Sequence, residues 1–327
     1  MHTDAEIARA AEVLRGGGLV AFPTETVYGL GADASSPAAL RRLYAVKRRP
    51  PEHPVIVHLA SAAQLADWAT DVPAGARTLA DACWPGPLTL VLPRASRVPD
   101  EATGGLPTVG VRVPDQPVAL ALLRAFAGDS GSGGLAAPSA NRFGCVSPTT
   151  ALDVRADLGD DVDLVLDGGP CRVGVESTIV DCTTSAPAIL RLGGVPRERI
   201  EDLLHCSVSV RNDGAVRAPG TLASHYAPRA RVVVVDAADL TTRARTELNE
   251  GERVGVVTPK LPHDLPVDVL VVGVPTDAHE YAHSLYRMLR DADANELDVL
   301  LAVAPPEVGI GAAVADRLRR AGGTPHD

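Results

Sequence analysis

Apolar positions recur with helical spacing from Ile7 to Leu14, and Thr3-x-x-Glu6 ahead of them has the form of a capping box, so a helix is expected to open the chain. Gly16, Gly17 and Gly18 stop it, and the LVAF run at 19–22 reads as the first strand. Ser36-Pro37 marks a second helix start, an N-cap followed by proline in the first turn. That helix runs toward Lys47-Arg48-Arg49 before Pro50-Pro51 ends it. Strand-like runs then recur at VIVHL (55–59), LTLVL (88–92), TVGVRV (108–113), LVLD (164–167), STIVD (177–181) and AILRL (188–192), with helical patterns among them. The expectation is a mixed α/β domain over residues 1–205.

Residues 206–228 lack a sustained period and contain RNDG and APG, so they read as a linker. Over 229–327 four near-continuous Val/Leu runs, RVVVVD, VGVVTP, VDVLVVGV and LDVLLAV, alternate with helical patterns. Strands this apolar need both faces covered, which predicts a smaller, Rossmann-like α/β domain with a mostly parallel sheet.

Length agrees with two domains, since 327 residues is about twice the usual ~100–200 per domain. Hydrophobic residues at 46% against 22% charged exclude a disordered chain, and only 3% aromatics means the cores must be built from Ala, Val and Leu. No apolar run reaches the ~18 residues of a membrane span, and the N-terminus is polar and acidic, so a soluble, cytoplasmic protein is expected. Net charge is −10, shared between 18 Lys and Arg against 24 Asp and Glu over 1–205, and 13 against 17 beyond. Neither part has the basic excess of a protein that grips a nucleic-acid backbone over a large area. Only Lys47 and Lys260 are lysine against 29 arginines, which draws attention to both. Five cysteines with no C-x-x-C suggest neither a disulfide framework nor a zinc knuckle.

The common nucleotide fingerprints are missing: no G-x-x-x-x-G-K-[ST] occurs, and GIGAAV at 309–314 lacks a third glycine, so it reads as a tight turn. GDSGSGG at 128–134 resembles a trypsin-like nucleophile loop, but Ser132 interrupts the pattern and the α/β organisation does not suit that fold, which leaves a mobile Gly/Ser loop before the strand LAAP. PTETVYGLGADA at 23–34 places Thr24, Glu25, Thr26 and Tyr28 just past a strand end, with Gly29 and Gly31 permitting a sharp turn. Lys47 and Arg49 offer a point charge and a planar fork suited to phosphates, although cations at a helix end also simply complement the dipole. PSAN at 138–141 supplies Ser139 and Asn141.

Taken in order, PTETVYGLG, Lys47-x-Arg49, HPVIVH, WPGPLTLVL, TVGVRVP, AAPSAN, DGGPCRVGVESTIVD and Leu190-Arg191 resemble the threonylcarbamoyl-AMP synthases with their YrdC-like domain. APGTLASHYAP at 218–228, followed by a small α/β domain, resembles the long form of that family. The resemblance implies a twisted mixed sheet with a concave basic cavity, a linker folded over the active site, and synthesis of threonylcarbamoyl-adenylate and pyrophosphate from L-threonine, bicarbonate and ATP. It implies Lys47, Arg49, Ser139 and Asn141 as catalytic residues, and Thr26, His58, Arg112, Ala137 and Ser177 around threonine. For ATP it implies Arg49, His53, Thr108, Ser139, Ser147, Arg191, Pro219, His225 and Tyr226, with magnesium on the phosphates. His53 stands where the family usually has asparagine, and GDSGSGG lengthens the loop before AAPSAN. The product would pass to a transferase that modifies tRNA beside the anticodon. Two rivals are weighed against this: an RNA- or tRNA-binding module using a local basic patch, and carbamoyl-adenylate formation in hydrogenase maturation, whose zinc-binding Cys pairs are missing.

Overall fold

The computed structural model describes residues 3–128, 131–211 and 226–323. These fall into two compact units, the second of which also takes in Gly144–Val146 and Val173–Val175. The first helix, Asp4–Arg15, opens as its capping box requires: the Thr3 hydroxyl accepts from Glu6 N, and the Glu6 carboxylate accepts from Thr3 N at 2.8 Å. It buries Ile7, Ala10, Ala11 and Leu14 in one cluster with Val20, Phe22 and the apolar face of helix Pro117–Ala127. The second helix, Pro37–Lys47, begins at Ser36, whose hydroxyl accepts from Ala39 N. It ends before the prolines are reached, because Arg48 takes a left-handed cap at φ 53° and Arg49 N closes the turn on the Tyr44 carbonyl at 3.0 Å.

Among the described residues of the first unit, ten strands make one mixed sheet. They are β1 (Val20–Phe22), β2 (Gly29–Asp33), β3 (Ile56–His58), β4 (Leu88–Pro93), β5 (Thr108–Arg112), β6 (Leu135–Ala136), β7 (Leu164–Val165), β8 (Thr178–Asp181), β9 (Ala188–Arg191) and β10 (Ser209–Val210). Their order is β10-β9-β8-β4-β5-β3-β6-β2-β1-β7. Two strands differ from the sequence expectation. Gly29 and Gly31 lie not in a sharp turn but in β2, antiparallel to β1. A Cβ on Gly31 would come within 2.9 Å of the Phe22 ring, so this glycine exists for close packing. The linker reading from 206 onward also meets a strand, since β10 pairs parallel with β9.

Strand alternation divides the central sheet into two chemistries. Val57, Val111, Leu88, Leu90 and Val180 enter the main core with Leu30, Leu40 and Leu43. The register His58↔Arg112, Ile56↔Gly110, Val91↔Gly110 and Ile179↔Arg191 places the intervening residues on the opposite face. That face carries Ile56, Val91 and Ile179 as a small apolar patch and His58, Thr89, Arg112 and Arg191 as its polar groups.

The second unit holds β11 (Arg231–Val234), β12 (Val254–Val257), β13 (Leu270–Gly273) and β14 (Val299–Ala302), all paired in parallel in the order β11-β14-β12-β13. The parallel sheet expected from the Val/Leu runs is therefore present. GIGAAV opens helix Gly311–Ala321, and a Cβ on Gly311 would sit 2.2 Å from the Pro306 carbonyl, so the motif is a packing turn. No helix among the described residues is long and apolar enough to cross a membrane.

Candidate functional site

The polar face of β3 and β5 continues into the PTET segment. Arg112 is 4% exposed and spreads its guanidinium over three acceptors: Nε donates to Gly86 O at 3.2 Å, Nη1 to Thr26 Oγ1 at 3.0 Å and Nη2 to Glu25 Oε1 at 2.6 Å. Thr24 steadies this turn, its hydroxyl donating to Val27 O at 2.6 Å and lying 2.8 Å from that of Thr26. Two of the five guanidinium N–H positions remain for a planar anion. His58 lies beside Arg112 in the sheet register, with the Phe22 ring edge-on to it. Burial, and then the Arg112 charge, lower its pKa to about 3, so the imidazole is neutral near pH 7. Ala137 completes this side, its N–H bonded to Ile56 O and its Cβ packed on Gly29.

Lys47, only 1% exposed, donates from Nζ to the carbonyls of Ser139 and Asn141, each at 2.5 Å. The ammonium thereby fixes the loop after β6, which also pairs with the 28–30 backbone through Leu30 N to Pro138 O and Ala140 N to Tyr28 O. Arg49 donates to Pro54 O at 2.9 Å and lies 5.5 Å from the Phe143 ring centre, and His53 meets the same ring edge-on. Thr108 is half-buried at the start of β5, on the face of Arg112.

Arg191 clasps the residue before β8: Nη2 reaches Ser177 O at 2.9 Å and Ser177 Oγ at 3.1 Å, and Thr89 Oγ1 lies 2.8 Å from that hydroxyl. Ser147 donates to Glu176 Oε1 at 2.7 Å. Gly193 permits this approach, because a Cβ there would fall 2.4 Å from the backbone of 176–178.

Hydrogen bonds and sheet register thus join Thr26, Arg112, His58 and Ala137, join Lys47 to Ser139 and Asn141, join Arg191 to Ser177, and set Arg49 with His53. Pro219 and His225 lie outside the described residues. Tyr226 belongs to the second unit, where its ring is 1% exposed, stacked 5.6 Å from Tyr286 and 5.1 Å from the Arg317 guanidinium carbon. Tyr28 is structural, donating to Gly169 O at 2.8 Å, with its hydroxyl pKa raised by burial and then Asp167. Thr89 and Glu176 carry no role from the sequence, and Glu25 stands out there only as one of the polar residues past the first strand. The available signals were a charge inside the apolar stretch FPTETVYG and a polar alternate position in LTLVL.

Residues 12–193 match the Sua5, YciO and YrdC family model described as telomere recombination, and 195–323 match the C-terminal domain of threonylcarbamoyl-AMP synthase. A threonylcarbamoyl-AMP synthase of Pyrococcus abyssi is 42% identical, covering 97% of this chain and 94% of the relative, and one of Bacillus subtilis is 40% identical over 98% and 94%. The crystal structure of Pyrococcus abyssi Sua5 complexed with L-threonine superposes with a TM-score of 0.92 at 40% identity, covering 99% of this chain and 96% of that one.

Proposed function

Because this chain belongs to the threonylcarbamoyl-AMP synthase family, we propose that it converts L-threonine, bicarbonate and ATP into threonylcarbamoyl-adenylate and pyrophosphate. The observation that carries the reading is the buried Arg112, Thr26 and His58 group, a fixed cation, hydroxyl and neutral imidazole suited to a small polar amino acid. A relative with the same overall structure has been crystallised with L-threonine, which supports this choice. Arg112 takes the threonine carboxylate as a bidentate pair, and Thr26, His58 and Ser177 meet its hydroxyl and amine beside the Ala137 backbone.

The threonine nitrogen becomes a carbamate, and a carbamate oxygen attacks the α-phosphate as pyrophosphate leaves. Arg49, Arg191 and the loop that Lys47 secures line the polyphosphate, with His53, Thr108, Ser139, Asn141 and Ser147 as further contacts. Magnesium would come with ATP, where it would offset charge on the polyphosphate beside Arg49 and Arg191. The adenylate is a mixed anhydride, and the part of the linker that carries Pro219 and His225 would shield it from water, with Tyr226 packed in the second unit as its anchor. A cytoplasmic tRNA-modifying transferase is the consumer of this product, and direct tRNA contact is at most weak given the acidic net charge.

The test is to incubate the protein with ATP, magnesium and labelled bicarbonate. Pyrophosphate release and label in a threonine-bearing adenylate should both require L-threonine. Release of ADP and orthophosphate would overturn the assignment.

A further inference from the structure

Glu25 is a buried acid beside Arg112 that the proposed chemistry has not used. It is 1% exposed, and only one of its carboxylate oxygens is engaged: Oε1 accepts from Arg112, while the buried Oε2 has no partner among the described residues. A carboxylate needed only to hold Arg112 in place would gain from pairing both oxygens. A carboxylate oxygen withheld from water and left open is poised for a donor that is not part of the chain.

The substrate of the proposed reaction brings such a donor. Free L-threonine is a zwitterion, and the Arg112–Glu25 pair is its buried complement, a cation for the carboxylate and an anion for the ammonium. The groups facing Glu25 are Arg112 from β5 and Cys171 from the segment after β7, with His58 from β3 facing Arg112. Burial raises the Cys171 thiol, which stays protonated, and the His58 imidazole is too weakly basic to hold a proton near neutrality. Of these four groups, Glu25 is the one with a buried oxygen left open to a donor.

We infer that Glu25 Oε2 binds the threonine ammonium and takes the proton it must lose before carbamoylation. The inference rests on the reading that this chain carbamoylates threonine. One N–H bond of the ammonium breaks as its proton passes to Oε2, and the freed nitrogen lone pair forms the N–C bond to the carbon of the bicarbonate-derived unit. The second proton leaves in the water that bicarbonate releases, and the proton on Glu25 returns to solvent as product departs. Charge balances, since ammonium plus bicarbonate gives carbamate, water and one proton.

Glu25→Gln keeps the size of the side chain and an acceptor for Arg112 but cannot take the proton. Threonine-dependent pyrophosphate release should fall about a hundredfold near neutral pH and recover with alkalinity, about tenfold per pH unit, as solvent deprotonates the amine. Glu25→Asp, which keeps the charge, should retain the wild-type pH profile at a reduced rate. In calorimetry, wild type should prefer L-threonine over 3-hydroxybutyrate, which lacks the amine, and Glu25→Gln should lose that preference. An equal loss at every pH, with threonine still preferred, would reduce Glu25 to an anchor for Arg112 and overturn the inference. If wild type itself releases no pyrophosphate, the reaction assignment fails, whereas the calorimetric comparison still decides the ammonium contact.

Discussion

Lys47 Nζ donates to the backbone carbonyl of Ser139 at 2.5 Å across 92 positions of sequence, and through the neighbouring carbonyl of Asn141 it secures both ends of the Ser-Ala-Asn turn. One of only two lysines thus acts inside the protein, as a compact multi-donor group that a planar guanidinium cannot imitate.

Lys47→Met should leave those two carbonyls without this donor, at about 1–3 kcal/mol each. The expected outcome is a melting temperature lower by several degrees and a raised KM for ATP, with Lys47→Arg failing to restore either. Thermal unfolding and pyrophosphate kinetics check this. Wild-type melting of the Met variant would show that the ammonium does not hold the loop.

How far the sequence could be read follows from the range of each interaction. The Thr3 and Glu6 box and the Ser36-Pro37 start lie within a few residues of the helices they open, and both helices begin where those signals place them. Strand β2 was hidden because Gly31 serves the Phe22 ring of the adjacent strand β1, a relation that local propensity does not contain. Glu25 stood out in the PTET segment, but its contact was hidden for the same reason at longer range, since its partner Arg112 is 87 residues away. The resemblance located Arg112 but had no means to show that its guanidinium is already balanced by a buried acid.

That balance makes Arg112→Ala costly beyond substrate binding. Removing one partner of a buried ion pair strands the other charge, typically at about 3–5 kcal/mol. Threonine affinity should collapse while ATP affinity persists in whatever fraction folds. The double change Arg112→Met, Glu25→Leu should recover most of the lost stability but none of the activity. Urea unfolding with calorimetry for both ligands checks it, and equal loss of threonine and ATP affinity in folded Arg112→Ala would contradict the division of roles.

His58 should govern part of the acid limb of stability. Its folded value of about 3 lies below the ordinary 6.5, so between these values the unfolded chain binds the extra proton. Stability therefore rises with pH across that window, is fully present above it, and is lost as pH falls, by at most about 1.4 kcal/mol per pH unit. His58→Gln should flatten this limb relative to wild type. Urea midpoints measured through the window decide it, and an unchanged acid slope would mean that His58 is hydrated in solution.

Gly193→Ala should damage the site without touching any of its side chains. The added methyl would press on the backbone of Glu176, Ser177 and Thr178 at 2.4 Å, displacing the segment that Arg191 clasps. Overpacking of this kind costs about 1–3 kcal/mol. Activity should drop at least tenfold with the KM values for threonine and ATP raised, whereas Gly105→Ala, at a left-handed position with open space around it, should reduce stability through backbone strain and leave those KM values unchanged. Steady-state kinetics on both variants provides the comparison.

Tyr226 offers the sharpest test of the residues expected to meet nucleotide. Its ring is buried within the second unit, stacked on Tyr286 at an interplanar angle of 28° with Arg317 over the ring, and its backbone sits in the left-handed region at φ 64°. A bulky residue holds that conformation only where packing fixes it. Tyr226→Phe keeps the ring, the stack and the cation–π contact, so it should turn over as wild type does and lose far less stability than Tyr226→Ala. Tyr226→Ala removes the filling of this pocket and should cost about 3–5 kcal/mol, seen as early unfolding of the second unit in calorimetric scans. The two variants separate packing from contact, because the phenolic oxygen is all that Phe lacks. Weakened ATP binding by Tyr226→Phe at unchanged melting would place the hydroxyl on nucleotide and set the packing account aside.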